Sequence, residues 1–271
     1  MIEFGVAFVE FVLATFLPIY VGMFLLIALS NGDRVSTRVL SAYALGLLFW
    51  FFYDTLNDAA QLDVNQGYSF DLGHIGLLAL FIVGFLLFTM LGGRLSSKRE
   101  AASTESALPF LLGMIAALAM GIHGIGEGTA FGGLAAGTQA STILDAIGGI
   151  NGGVAYCLHK LLESTIVIAV FIPLARANGL SIRSQLWHTV LLGLMFGIPS
   201  AVGEVVGYSF AIDSTWFYAM GAGAALFVVL QVAKRIFVVN RDEGVTYSQW
   251  VRISGAMILG FLLLYAAALL H

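Results

Sequence analysis

The sequence predicts an all-α membrane protein with eight transmembrane helices, and three observations carry that prediction. The 271 residues are 59% hydrophobic and 10% charged, with a mean hydropathy of +0.95, far from the roughly 45–50% apolar and about 25% charged of soluble domains. Eight apolar runs can be drawn at 5–30, 36–59, 74–92, 107–135, 143–174, 184–211, 214–238 and 247–270. Each is long enough for a bilayer, which takes about 20 helical residues to cross. The basic residues gather in alternate connections. Nothing remains for a soluble domain, so residues 1–271 are expected to form a single transmembrane domain.

Span one carries Glu3 and Glu10 with no Lys or Arg ahead of its apolar run. The run is too long for a signal-peptide core and reads as a retained first helix. Arg34 and Arg38 follow it. Span two contains Asp54 and Asp58 and leads into a connection with Asp63 and Asp71; this is an acidic mouth that attracts cations, or an external loop that simply tolerates acids. Arg94, Lys98 and Arg99 follow span three, Arg176 and Arg183 follow span five, and Lys234, Arg235, Arg241 and Arg252 flank the connection after span seven. The other polar ends have no basic residue. Every Lys and Arg except Lys160 therefore falls on one side, and because basic loops stay cytoplasmic, both termini are expected outside a cytoplasmic membrane. The single Cys157 lies within a span, so no internal disulfide can form.

Spans four and five each hold a His-x-x-x-Glu pattern, His123 to Glu127 and His159 to Glu163. Residues four apart share a helix face, so each pattern aims an imidazole and a carboxylate at one point. The polar break from Gly137 to Ser141 makes the two spans an antiparallel hairpin, and Ser141 lies midway between the histidines, which places them level. At 1.5 Å per residue they stand roughly 20–25 Å of helix from the turn, near the bilayer midplane. Charges at Glu127, Glu163 and Lys160 cost about 2.5–3.5 kcal/mol apiece at that depth, on the order of 10 kcal/mol together. Either these groups pair to lock two helices, or they enclose a metal ion. Imidazole with carboxylate suits zinc, iron(II) or manganese better than magnesium or calcium.

The residues around these patterns resemble a family. Ala119-Met-Gly-Ile-His123-Gly-Ile-Gly-Glu127-Gly128 resembles the fourth-helix signature His-Asn-x-Pro-Glu-Gly of the Zrt/Irt-like (ZIP) metal transporters, and Ala155-Tyr-Cys-Leu-His159-Lys-Leu-Leu-Glu163-Ser164 resembles its fifth-helix partner. Gly46 through Asp54-Thr-Leu-Asn-Asp58 is similar to the second-helix motif, Gly197-Ile-Pro-Ser200-Ala-Val-Gly203 to the sixth, and Ala222-Gly223 through Gln231 to the seventh. The resemblance implies a 3+2+3 arrangement, with helices one to three related to six to eight around a central pair. Gly46, Asp54 and Asp58 share their spacing with Gly223, Gln231 and Arg235 in a span of opposite direction, as an inverted repeat leaves behind.

The family's two-metal site is implied only in part. Its second-site positions read Gly124, Lys160 and Ser200, and an ammonium takes the space of a cation. Lys160 stands three residues before Glu163, within reach of its carboxylate, so it is expected to substitute for the second ion and leave a single-metal site with a local charge of about −1 and weaker divalent affinity. The motif prolines are replaced by Gly126 and Leu162, which leaves a flexible point in the fourth helix alone. Asp54 replaces a second-helix His, either as an added oxygen ligand or as part of the pathway, with Asp58 at the entrance. Glu204 has no family counterpart, Gln231 reads as structural, and His74 and His188 fall near span ends.

The expected function is transport of a divalent transition metal (zinc, iron or manganese) into the cytoplasm, with His123, Glu127, His159 and Glu163 as its ligands. Glu127 or Glu163 is a candidate to exchange a proton as the ion binds or leaves. No resident cofactor is required and no enzymatic activity is expected. Divalent metal ions and the lipid bilayer are the expected partners; nucleic acid is not, and a homodimer is compatible with the sequence. Two other classes remain open: an intramembrane zinc-dependent hydrolase, since such ligands with a free position activate water, and a non-transporting ZIP-like sensor.

Overall fold

The computed structural model describes residues 1–30, 37–60, 72–102, 108–237 and 246–269. Among them there are no strands, and eight helices are long and apolar enough to cross a membrane. These are α1 (Phe4–Ser30), α2 (Thr37–Ala60), α3 (Leu72–Ala102), α4 (Leu108–Gly137), α6 (Gly149–Ala177), α7 (Ile182–Ser209), α8 (Thr215–Phe237) and α9 (Tyr247–Ala268). The chain is thus an all-α, eight-span membrane protein, as its composition predicts. Asp63, Asp71, Arg34 and Arg241 lie outside the described residues, as do the side chains of Lys98, Arg99 and Arg235.

The expected fifth span, 143–174, is divided. Its first turn is a separate short helix, α5 (Ile143–Ala146), whose N-cap Thr142 accepts a hydrogen bond from the Asp145 amide. Gly148 and Gly149 follow with φ of 97° and 74°, a left-handed backbone that glycine adopts without a Cβ penalty. The chain turns there and enters the membrane as α6. The loop is fastened to α1, because Glu10 Oε2 accepts from the Ile143 amide at 2.7 Å. The amide of Ile2 donates to the Ala135 carbonyl, and the Tyr208 hydroxyl donates to that of Ile2. The N-terminus and the α4–α6 connection therefore share one end of the bundle. At the other end Arg176 donates to the carbonyl and hydroxyl of Ser30.

Packing follows an internal two-fold relation. The α4–α7 interface is matched by α6–α1, α2–α9 by α8–α3, and α2–α6 by α8–α4. Exchanging α1 with α7, α2 with α8, α3 with α9 and α4 with α6 thus maps the main interfaces onto one another. Two glycine pairs show the relation in detail. A Cβ at Gly46 would lie 1.9 Å from the Met257 carbonyl oxygen, and one at Gly223 would lie 2.0 Å from that of Phe81. Reciprocally, Gly260 backs onto Tyr43 and Gly84 onto Met220. In lipid no hydrophobic force drives helices together, so this backbone approach, with its dispersion contacts, holds the paired helices.

The same relation sets the centre. In α6, 72% of the apolar window is buried, against 11% in α3 and 22% in α9. The central helices are therefore α4 and α6, with α3 and α9 on the lipid side. Gly22 in α1 and Gly203 in α7, each four residues after a proline (Pro18 and Pro199), back onto Leu161 of α6 and Ile125 of α4 respectively.

Candidate metal centre

His123 stands near the middle of the 30-residue α4, facing His159 on α6. His123, Glu127, His159 and Glu163 are all buried or nearly so, and each offers a donor atom within 4.8 Å of the other three. His123 Nε2 lies 3.5 Å from Glu127 Oε1 and 3.7 Å from Glu163 Oε1, and His159 Nε2 lies 3.2 Å from Glu163 Oε1. A tetrahedral shell with bonds of about 2.0–2.1 Å has edges of roughly 3.3 Å. These separations fit it, and the four side chains could hold a metal ion.

The two carboxylates are each divided between two tasks. Their Oε1 atoms face the imidazoles, while their Oε2 atoms face Lys160, which ion-pairs with Glu127 across the helix interface and with Glu163 at 2.5 Å on its own helix. Lys160 is fully buried. Its ammonium lies 5.2 Å from the Phe196 ring centroid and 5.8 Å from that of Tyr156, so aromatic faces complete its surroundings. Two carboxylates and one ammonium leave one net negative charge, with the buried anions compensated rather than isolated.

The imidazole of His123 is held from three sides. Its Nδ1 lies 3.2 Å from Thr55 Oγ1 on α2, Phe51 meets it edge-on at 4.7 Å, and Tyr218 lies 5.2 Å away. A partner on Nδ1 leaves Nε2 to point at the carboxylates. Thr55, Tyr218 and Tyr156 are marked by no charge or spacing that the sequence makes visible. The available signal was Thr55 itself, a polar side chain one position from Asp54 inside a span.

A cavity of about 310 Å³ joins this cluster to one end of the bundle, lined by Asp54, Asp58, His159, Tyr156 and Tyr218, and reaching Ala268 near the end of α9. Asp54 and Asp58 thus line the approach but stand outside the four-residue cluster. Toward the opposite end the space is filled by Met120, Phe171 and Phe196, all fully buried.

The remaining second-site positions meet between α4 and α7, where a Cβ on Gly124 would fall 2.1 Å from Ser200 Oγ. That hydroxyl is buried without a hydrogen-bond partner among the described residues. Glu204, one turn further along α7, is also buried with neither oxygen bonded, and its backbone is where Gly128 and Gly132 let α4 approach. At Gly126, the expected flexible point, α4 stays helical, running unbroken from Leu108 to Gly137, and Gly126 packs on the Tyr218 ring. His188 lies between Phe110 and Phe171, away from the cluster. In comparisons with known proteins, the chain matches no family model and no curated relative.

Proposed function

We propose that this protein is a ZIP-like transporter that carries a divalent transition metal ion through a single-metal site between α4 and α6, inward across the cytoplasmic membrane. The observation that carries the reading is the convergence of His123, Glu127, His159 and Glu163 between two membrane-spanning helices, at the inner end of a cavity whose approach is lined by two aspartates. Ions entering there meet Asp54 and Asp58 first, then the imidazoles. The internal two-fold relation supports alternating access, since rocking one repeat against the other moves an opening from one face to the other around a fixed site.

Four protein donors favour transport over hydrolysis, because catalytic zinc sites keep a position open for water with three protein ligands. The test is metal flux into liposomes that contain the purified protein and a trapped metal indicator. Uptake is expected with the native chain and lost in the His159→Ala, Glu163→Ala double variant, with the variant still inserted. Full uptake by that variant overturns the assignment, and binding without flux in the native chain makes the protein a sensor.

A further inference from the structure

The division of the two carboxylates bears on which ion the site takes, and the inference rests on the metal-site reading above. We infer that Lys160 is a specificity-determining residue: by holding one oxygen of Glu127 and one of Glu163, it restricts the site to four monodentate donors and so to ions of the four-coordinate, zinc-like class.

The donors left for an ion are His123 Nε2, His159 Nε2, Glu127 Oε1 and Glu163 Oε1, whose imidazole–carboxylate pairs stand 3.2–3.7 Å apart at His159–Glu163, His123–Glu127 and His123–Glu163. Each carboxylate could otherwise chelate through both oxygens, giving up to six protein donors from the same four residues. Manganese and other ions that favour octahedral, oxygen-rich shells would profit from that expansion, whereas zinc is satisfied by four N and O donors.

Lys160 is placed to prevent it. It is fully buried, lies three residues before Glu163 on one helix, and ion-pairs with a carboxylate from each of the two central helices. The rings of Phe196 and Tyr156 flank its ammonium. Among the described residues no further His, Cys, Asp or Glu belongs to the cluster, and Asp54 stands outside it. Extra donors would have to be water from the cavity side.

Cobalt(II) reports coordination directly, because a four-coordinate ion absorbs visible light far more strongly than a six-coordinate one. Purified protein loaded with Co²⁺ is expected to give the intense four-coordinate spectrum. In Lys160→Met the band is expected to weaken toward the six-coordinate form, with the ratio of zinc to manganese affinity falling about tenfold or more. A weak, six-coordinate spectrum in the native protein overturns the inference without any variant. So does a Lys160→Met protein whose spectrum and affinity ratio match the native ones. If the native protein binds no Co²⁺, Zn²⁺ or Mn²⁺ at all, it is the metal-site reading that fails.

Discussion

Lys160 of α6 is ion-paired with Glu127 of α4 across the interface of the two central helices, and both side chains are buried. With Glu163 at 2.5 Å from the same ammonium, one lysine compensates two carboxylates inside the membrane. Breaking a buried pair by removing one partner typically costs about 3–5 kcal/mol, since a charge remains without compensation. Lys160→Met is therefore expected to lower the thermal midpoint sharply in metal-free detergent. A divalent ion should restore much of the loss, so zinc should raise the midpoint of the variant by more than that of the native chain. Equal zinc shifts in the two proteins would show that Lys160 does not compensate the carboxylates.

Thr55 acts on the site through His123. Its hydroxyl lies 3.2 Å from Nδ1, which fixes the ring orientation that turns Nε2 toward Glu127 and Glu163. Such supporting partners are worth roughly 10–100-fold in metal affinity. Thr55→Val, which keeps shape and loses the hydroxyl, is expected to weaken zinc binding by at least about tenfold in a titration. Thr55→Ser should keep near-native affinity. If valine and serine behave alike, packing rather than the hydrogen bond explains the residue.

Gly46 and Gly223 hold equivalent places in the two repeats, each against a carbonyl of a neighbouring helix at a distance no Cβ tolerates. Alanine at either position must push α9 away from α2, or α3 away from α8. Overpacking of this kind costs about 1–3 kcal/mol. The two variants are expected to lose similar stability in detergent, measured as the fraction still monodisperse after heating. Gly255→Ala is the control, since nothing lies within 4 Å of its Cβ position. Sensitivity at one of the two glycines alone would contradict their equivalence.

The spans and the His/Glu patterns were legible because they rest on signals local to the sequence. Apolar length marks a span, and a spacing of four marks a shared face. What stayed hidden depends on contacts between segments. Lys160 was placed beside Glu163 by their spacing on one helix, but nothing local discloses that it also reaches Glu127. Asp54 stands out in the sequence as an acid, yet its neighbour Thr55 makes the contact with His123, because adjacent helical residues point about 100° apart and the packing of α2, which has no local mark, decides which one faces α4. Gly126 reads as a flexible point in isolation. In lipid, however, a broken backbone hydrogen bond finds no water to replace it, and α4 stays helical through its glycines, which serve instead for close approach to α7 and α8. Gly148 and Gly149, the pair that does break a span, sit among several other glycines, and their positive φ has no separate mark in the sequence.

The orientation of the spans decides which face the cavity reaches in this conformation. It extends toward Asp58 and Ala268, near the ends of α2 and α9, and eight spans put those helix ends with the α4–α6 connection. The basic residues Arg176 and Arg183 belong to the opposite end, which the positive-inside rule assigns to the cytoplasm. With Cys157 replaced by Ala, single cysteines at Thr138 and Ser181 separate the two faces. An impermeant thiol reagent added to intact cells is expected to label Thr138→Cys and to label Ser181→Cys only after the membrane is opened. The reverse pattern would overturn the orientation with both termini outside and make this the inward-open state of the same alternating-access cycle. The ligand cluster would stand unchanged, because its geometry relates α4 to α6 and is indifferent to the side from which the ion arrives.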